Sequence, residues 1–385
     1  MVVYIKTQGA KIVKEGRHLL VKKGDDVCNT LFTYKLRQIV IFGNVEMTHR
    51  ALAQIMRHEI DIVFLTQNGR YLGRIASAES RNVYLHKRQY NLLDDHDFTL
   101  RVARSIVAGK LANMATFLMR IKRTRDDSIA GQRARGITDL IGQLPDANSV
   151  DSIRGYEGRG SALYFEAFPA GFIDNWGFAR RVRRPPTDPV NSILSLLYTF
   201  LMNRVYAAVR VAGLDPYPGF LHSIDYGRYS LVLDLMEEFR PIIADSLALS
   251  LFNLHILKKD DFYMDKPANA DTTSADADDQ PDVTKDPMGM INPVCSDAEI
   301  FDLPVQRMDD AQVVDSQPTE KYPVKLHPDG FKRVIENFER KLTTEFYYAP
   351  AERSITYAEA LIQQANHFRK VIEGEANVYQ PLLLK

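Results

Sequence analysis

At 385 residues, with 45% hydrophobic and 25% charged side chains, the chain has the length for two cores and the balance of an ordinary globular protein. Lys plus Arg and Asp plus Glu each number 49, for a formal net charge of zero, and Cys28 and Cys295 alone are too few for a disulfide framework or a cysteine-rich zinc site. No run of eighteen apolar residues appears, and Met1-Val2-Val3-Tyr4-Ile5-Lys6 has neither a basic leader nor a small-residue cleavage site, so a cytoplasmic protein with no membrane partner is expected.

Residues 1–90 read as β-rich, in short apolar or alternating runs broken by turn residues. Val2–Ile5, His18–Val21, Gln38–Phe42 before Gly43-Asn44, Ile60–Leu65 and Tyr71–Ile75 are the strand candidates. Thr48 predicts one helix start, with Ala51, Leu52, Ile55 and Met56 on a common face. From about Asp94 the period becomes helical, as in Phe98-Val102-Ile106 and Leu111-Met114-Leu118. Asp188-Pro189 is a capped helix start, and apolar spacing predicts a single long helix from Ser230 to about Leu251. Helical patterns return at Gly330–Leu342 and Tyr357–Ile372. The expected architecture is α+β: a β-rich, sheet-on-sheet N-terminal domain (1–90) followed by an all-α domain (91–385).

Residues 265–320 interrupt the second domain with 14 Asp or Glu against three Lys or Arg. Few aromatics accompany them, so this stretch is expected to be a mobile acidic insertion. Its charge of about −11 leaves about +11 on the rest of the chain, which restores a polyanion as a reasonable partner.

The chemistry-bearing residues concentrate between Pro218 and Pro241. His222 lies on a loop before a helix whose Asp234 and Glu237, three apart, share a face. A further carboxylate, Glu157, sits among Gly155, Gly158 and Gly160, where small residues permit close approach. Mixed oxygen and nitrogen donors suit Mg²⁺ or Mn²⁺. From spacing alone the signal is weak, because a lone histidine is more often hydrogen-bonded structurally than a ligand and a carboxylate on an amphipathic helix is usually solvated.

Three ordered blocks resolve that ambiguity through a resemblance. Gly155-Tyr156-Glu157-Gly158 with Tyr164-Phe165, then Arg183-Arg184-Pro185-Pro186-Thr187-Asp188-Pro189, then Gly219-Phe220-Leu221-His222 with Asp234-Leu235-Met236-Glu237 and Phe239-Arg240-Pro241, resemble the CRISPR-associated integrase family, Cas-one. The resemblance implies a β-sandwich-like dimerisation domain followed by a helical catalytic one, a homodimer, and assembly with the small partner Cas-two. It implies Glu157, His222 and Glu237 as catalytic metal ligands for Mg²⁺ or Mn²⁺, with Asp234 as a supporting residue behind them. The activity implied is insertion of foreign DNA fragments as new spacers into a CRISPR array, by attack of a DNA 3′-hydroxyl on repeat or leader DNA. Arg180, Arg181, Arg183 and Arg184 are candidates for phosphate contact, and Tyr164 for stacking on a splayed DNA end. A catalytically silent DNA-binding scaffold, or a general metal-dependent nuclease or resolvase, is the alternative.

Overall fold

A computed structural model of the protein describes residues 2–66, 71–75, 82–182, 185–265 and 322–384. Period-two alternation builds the first part. Strands β1 (Val2–Ile5), β5 (Gln38–Phe42), β7 (Asp61–Leu65) and β8 (Tyr71–Ile75) form one sheet in the order β1-β5-β7-β8, with β1, β5 and β7 mutually parallel and β8 antiparallel to β7. Strands β2 (Ala10–Glu15), β3 (His18–Lys23), β4 (Asp26–Phe32) and β6 (Val45–Met47) form the other, in the order β4-β3-β2-β6. Helix α1 (His49–Arg57) starts as expected, the Thr48 hydroxyl accepting from the Ala51 N–H.

The middle strand β5 is buried along its whole length because it serves two cores. Ile39 and Ile41 pack with Ile12, Leu19, Leu31 and Ile55 between the two sheets. Val40 and Phe42, one residue out of phase, join the helical core with Val63 and Leu65. The seam is fixed by Phe42, edge-on to Phe331 at 5.0 Å, and by Tyr4, which donates to Glu339 Oε1 at 2.5 Å, a carboxylate also bonded by Arg204.

The helical part begins at α2 (Val83–Leu93), eleven residues before the expected Asp94, with Asn82 as its cap. Then follow α3 (His96–Arg125), α4 (Ser128–Gln143), α5 (Val150–Ala167), α6 (Pro189–Val211), α7 (Ser230–Met236), α8 (Ser246–Asn253), α9 (Pro328–Thr343) and α10 (Tyr357–Glu373). Among the described residues α6 is the one helix long and apolar enough to cross a membrane, and most of that stretch is buried inside the domain. Two departures from expectation stand out. The expected all-α region contains two short antiparallel strand pairs, β9 (Phe262–Met264) with β10 (Val324–Leu326) and β11 (Glu345–Tyr348) with β12 (Arg353–Thr356). Aromatic and β-branched residues favour the second of these. The single helix expected over Ser230–Leu251 is divided between α7 and α8 by a π-helical turn, Arg240–Asp245. Pro241 has no N–H to give the Glu237 carbonyl and its ring crowds that oxygen, so the turn widens.

The acidic stretch expected over 265–320 lies outside the described residues except for Asp265. The chain departs and returns at one place: Met264 pairs with Val324, and the Asp265 N–H donates to the Pro323 carbonyl at 2.9 Å.

Candidate active site

Glu157, His222 and Glu237 reach the site from three separate segments. α5 carries Glu157, the loop before α7 carries His222, and the end of α7 presents Glu237. The loop is pinned by Phe220, which packs edge-on to Phe98 of α3 at 5.3 Å and against Phe368 of α10 at 5.8 Å. Gly219 lies against the Ser230 backbone so closely that a Cβ there would sit 2.7 Å from the Ser230 carbonyl carbon. Gly160 similarly admits Leu111 of α3, whereas a Cβ on Gly155 or Gly158 would meet nothing within 4 Å, leaving the surface beside Glu157 open.

Asp234 organises the loop. Its carboxylate accepts from the backbone N–H groups of Phe220 (2.6 Å), Leu221 (3.0 Å) and His222 (2.9 Å), and lies 2.7 Å from His222 Nδ1. A carboxylate has no proton to offer, so the network assigns Nδ1 as donor and leaves the Nε2 lone pair pointing into the site. That nitrogen is 3.8 Å from Glu237 Oε1.

The two glutamates are joined by a residue that sequence reasoning missed. Lys110 of α3, 4% exposed, places its ammonium 2.5 Å from Glu237 Oε2 and hydrogen-bonds Glu157 Oε1. Ser161 also donates to Glu157 Oε1, at 2.8 Å, and Arg240 lies 3.1 Å from Glu237 Oε1. Burial pushes the Glu237 carboxyl up, but Arg240, Lys110 and His222 outweigh it and hold it down at about 2. Glu157 faces the same contest between burial and Lys110, and it too ends below its ordinary value. The site opens on one edge, where the Glu157 and His222 side chains stay 26% and 20% exposed against 3% for Glu237.

Among the described residues no group of three or more His, Cys, Asp and Glu side chains is placed to hold a metal ion as the side chains stand. The donor chemistry nevertheless fits a hard divalent cation. Two carboxylates already converge on one cationic group, and the buried Glu237 Oε2, though in ionic contact with Lys110, lacks an aligned hydrogen bond.

Other candidates are placed differently from expectation. Tyr164 is fully buried and donates to Asp245 Oδ2 at 2.9 Å, while Tyr198 donates to Asp245 Oδ1 at 2.7 Å. It is a core residue and no platform for a base. Arg181 is committed internally, donating to the Val182 carbonyl, Asn191 Oδ1 and Ser195 Oγ, and lying over the Tyr198 ring. Arg180 is exposed, and Arg183 and Arg184 lie outside the described residues. Behind the site, the buried Glu238 accepts from Gln364, Tyr379 and the Leu382 N–H, and Asn113 bonds the backbone of Glu238, Leu382 and Leu384. The segment after α10 is thereby tied to α3 and to the end of α7. Lys110 left one sign in the sequence: a lone cation between Val107 and Met114 on an otherwise apolar helix face.

A β-sandwich-like domain docked on a helical domain, with a glutamate–histidine–glutamate site backed by Asp234, defines the class. The chain belongs to the family described as CRISPR associated protein Cas1, whose model matches residues 3–271. It is 36% identical over 263 residues to a CRISPR-associated endonuclease Cas1 of Thermus thermophilus, covering 68% of this chain and 77% of that one. Among solved structures it is similar to a casposase bound to integration product (TM-score 0.75, 19% identity, 98% of this chain and 92% of that chain). It is also similar to a chain of a Cas6-RT-Cas1–Cas2 complex (TM-score 0.75, 21% identity), covering 100% of this chain and 36% of that longer one.

Proposed function

We propose that this protein is a metal-dependent DNA integrase and endonuclease that joins DNA 3′-hydroxyl ends to CRISPR repeat or leader DNA by transesterification. Glu157, His222 and Glu237 are its ligands for Mg²⁺ or Mn²⁺. The observation that carries the reading is the convergence of these three residues, from segments up to 80 positions apart, on a site with one open edge. A divalent cation bound there supplies positive charge where negative charge builds up on the phosphoryl group and the leaving oxygen.

The protein's own residues do the rest. Glu157 and Glu237 are held ionised, so they bring charge and lone pairs without losing a proton first. Asp234 fixes the imidazole so that Nε2 faces inward. In the reaction a new P–O bond forms to the incoming 3′ oxygen as the P–O3′ bond of the target breaks, and the proton lost by the nucleophile is regained by the leaving oxygen. Water in the place of the 3′-hydroxyl gives hydrolysis at the same site.

Exposed Arg180, and a cavity of about 480 Å³ on the N-terminal domain lined by Lys14, His49, Arg50 and Arg57 with no acidic side chain, support a polyanionic substrate. A homodimer, and a Cas2-type partner as in the complex named above, complete the proposal. The test incubates the protein with labelled 3′-hydroxyl duplex, supercoiled repeat DNA and Mn²⁺ or Mg²⁺, with and without the cognate small partner. Metal-dependent joined product is expected. Binding without joining under all conditions would favour a silent scaffold, and cutting without joining a general nuclease.

A further inference from the structure

Lys110 is the only charged residue among the buried positions of α3, on a helix face otherwise given to residues such as Val107, Leu111 and Met114. Lysine is almost never fully buried unless paired, and here the pairing is twofold. One ammonium contacts Oε1 of Glu157 and Oε2 of Glu237, carboxylates that belong to different helices and would repel each other if left alone at this range. Arg240 cannot replace it, because that guanidinium approaches the other oxygen of Glu237.

We infer that Lys110 is a positioning residue that competes with the divalent cation for Glu157 and Glu237. It gathers the two carboxylates, and its charge sets how weakly the site takes the metal. The inference rests on the metal-dependent reading above. The oxygens that hold the ammonium are the ones a hard cation requires, so a metal entering the site meets a buried positive charge at a few ångströms with little water to screen it. A purely structural lysine predicts the opposite sign: without its brace the carboxylates separate and metal binding weakens.

Binding of Mn²⁺ to the full chain, followed by the electron paramagnetic resonance signal of free Mn²⁺, reads that sign directly. Lys110→Gln removes the charge and keeps an N–H donor for the carboxylates. The dissociation constant for Mn²⁺ should fall at least about tenfold, since one nearby repulsive charge is lost. The rise in melting temperature on adding Mn²⁺ should be larger than for the wild type. Lys110→Arg retains both charge and donors, so it guards against a glutamine variant that fails to fold; its affinity should be no tighter than wild type. Unchanged or weaker Mn²⁺ binding by folded Lys110→Gln, or tighter binding by Lys110→Arg, overturns the inference alone. A wild-type protein that takes up no Mn²⁺, or a Glu237→Gln variant that binds it as well as wild type, overturns the metal assignment itself and this inference with it.

Discussion

Glu237 and Glu238 are consecutive and equally buried, at 2% exposure each, and their carboxyls are driven in opposite directions. Burial raises both. On the side facing α3 and α5, Arg240, Lys110 and His222 reverse the effect for Glu237 and hold it at about 2. On the side facing the segment after α10, Gln364, the Leu382 N–H and Tyr379 offset burial only partly, and Glu238 is pushed up to about 8. Neutral donors satisfy hydrogen bonds, but they do not substitute for a counter-charge when a carboxylate leaves water. A single step along the chain therefore separates a carboxyl held ionised by cationic neighbours from one held by neutral partners.

The most severe way to break this contrast is to remove the charged member. Glu237→Ala should lower strand joining by about 10²–10³-fold or more, as expected for loss of electrostatic stabilisation at a reacting centre. It should also cost on the order of 3–5 kcal/mol of stability, because Lys110 and Arg240 stay buried. Glu157→Ala and His222→Ala should abolish joining to a similar degree and destabilise less, since both side chains reach solvent. Gel-resolved joining alongside denaturant unfolding tests all three, and near-normal metal-dependent joining throughout would reject the assignment.

Asp234→Asn comes next, with joining down about 10–100-fold, typical for a group that orients a metal-binding histidine. Either orientation of the amide turns an NH₂ toward N–H donors that the carboxylate now accepts. Wild-type joining by this variant would mean that His222 needs no orienting partner.

The uncharged side of the comparison makes a prediction in pH. Glu237 has a folded-state pKa below its ordinary 4.5, so its contribution to stability is complete above that value and is lost as the pH falls toward about 2. Glu238 has the reverse sign: its pKa is raised, so stability present below 4.5 is lost as the pH rises through about 8. Between pH 6 and pH 9 the wild type should lose about 3 kcal/mol that Glu238→Gln does not lose. Parallel urea-denaturation profiles for the two proteins across this range would show that Glu238 is not the group responsible.

The smallest expected effect concerns the residues after Asp265. Because Met264 and Val324 are already paired in neighbouring antiparallel strands, replacing 267–320 by a short Gly-Ser turn should leave the melting temperature within about 2 °C. A fall of ten degrees or more would make that stretch part of the fold.

Much of this architecture was legible in order along the chain. Strand alternation, the Thr48 and Asp188 caps and the helical period each depend on residues a few positions apart, and the caps are where they were expected. Glu157, His222, Asp234 and Glu237 were picked out by motif and are gathered in one place, although their role as metal ligands is still a proposal. What escaped reading depends on distant partners. Lys110 finds Glu157 and Glu237 at separations of 47 and 127 positions, so its place on an apolar helix face hints at burial but not at which carboxylates it pairs with. Tyr164 is a stacking candidate by sequence because Asp245, which accepts its hydrogen bond and helps hold it in the core, stands 81 residues later. Pro241 was visible, but that the helix would widen around it and resume, instead of ending, depends on the packing that buries Arg240–Asp245.

The attachment of residues 379–384 to Asn113 and Glu238 bears on how the protein is made. A ribosome finishes α3 long before it reaches Leu384, whose N–H bonds Asn113 across 271 positions. Until then Asn113 Oδ1 and Glu238 Oε2 lack the backbone N–H groups of Leu384 and Leu382 from which they accept. Nascent chains stalled before Tyr379 should therefore hold a site whose supporting side, behind Lys110 and Glu237, is still incomplete.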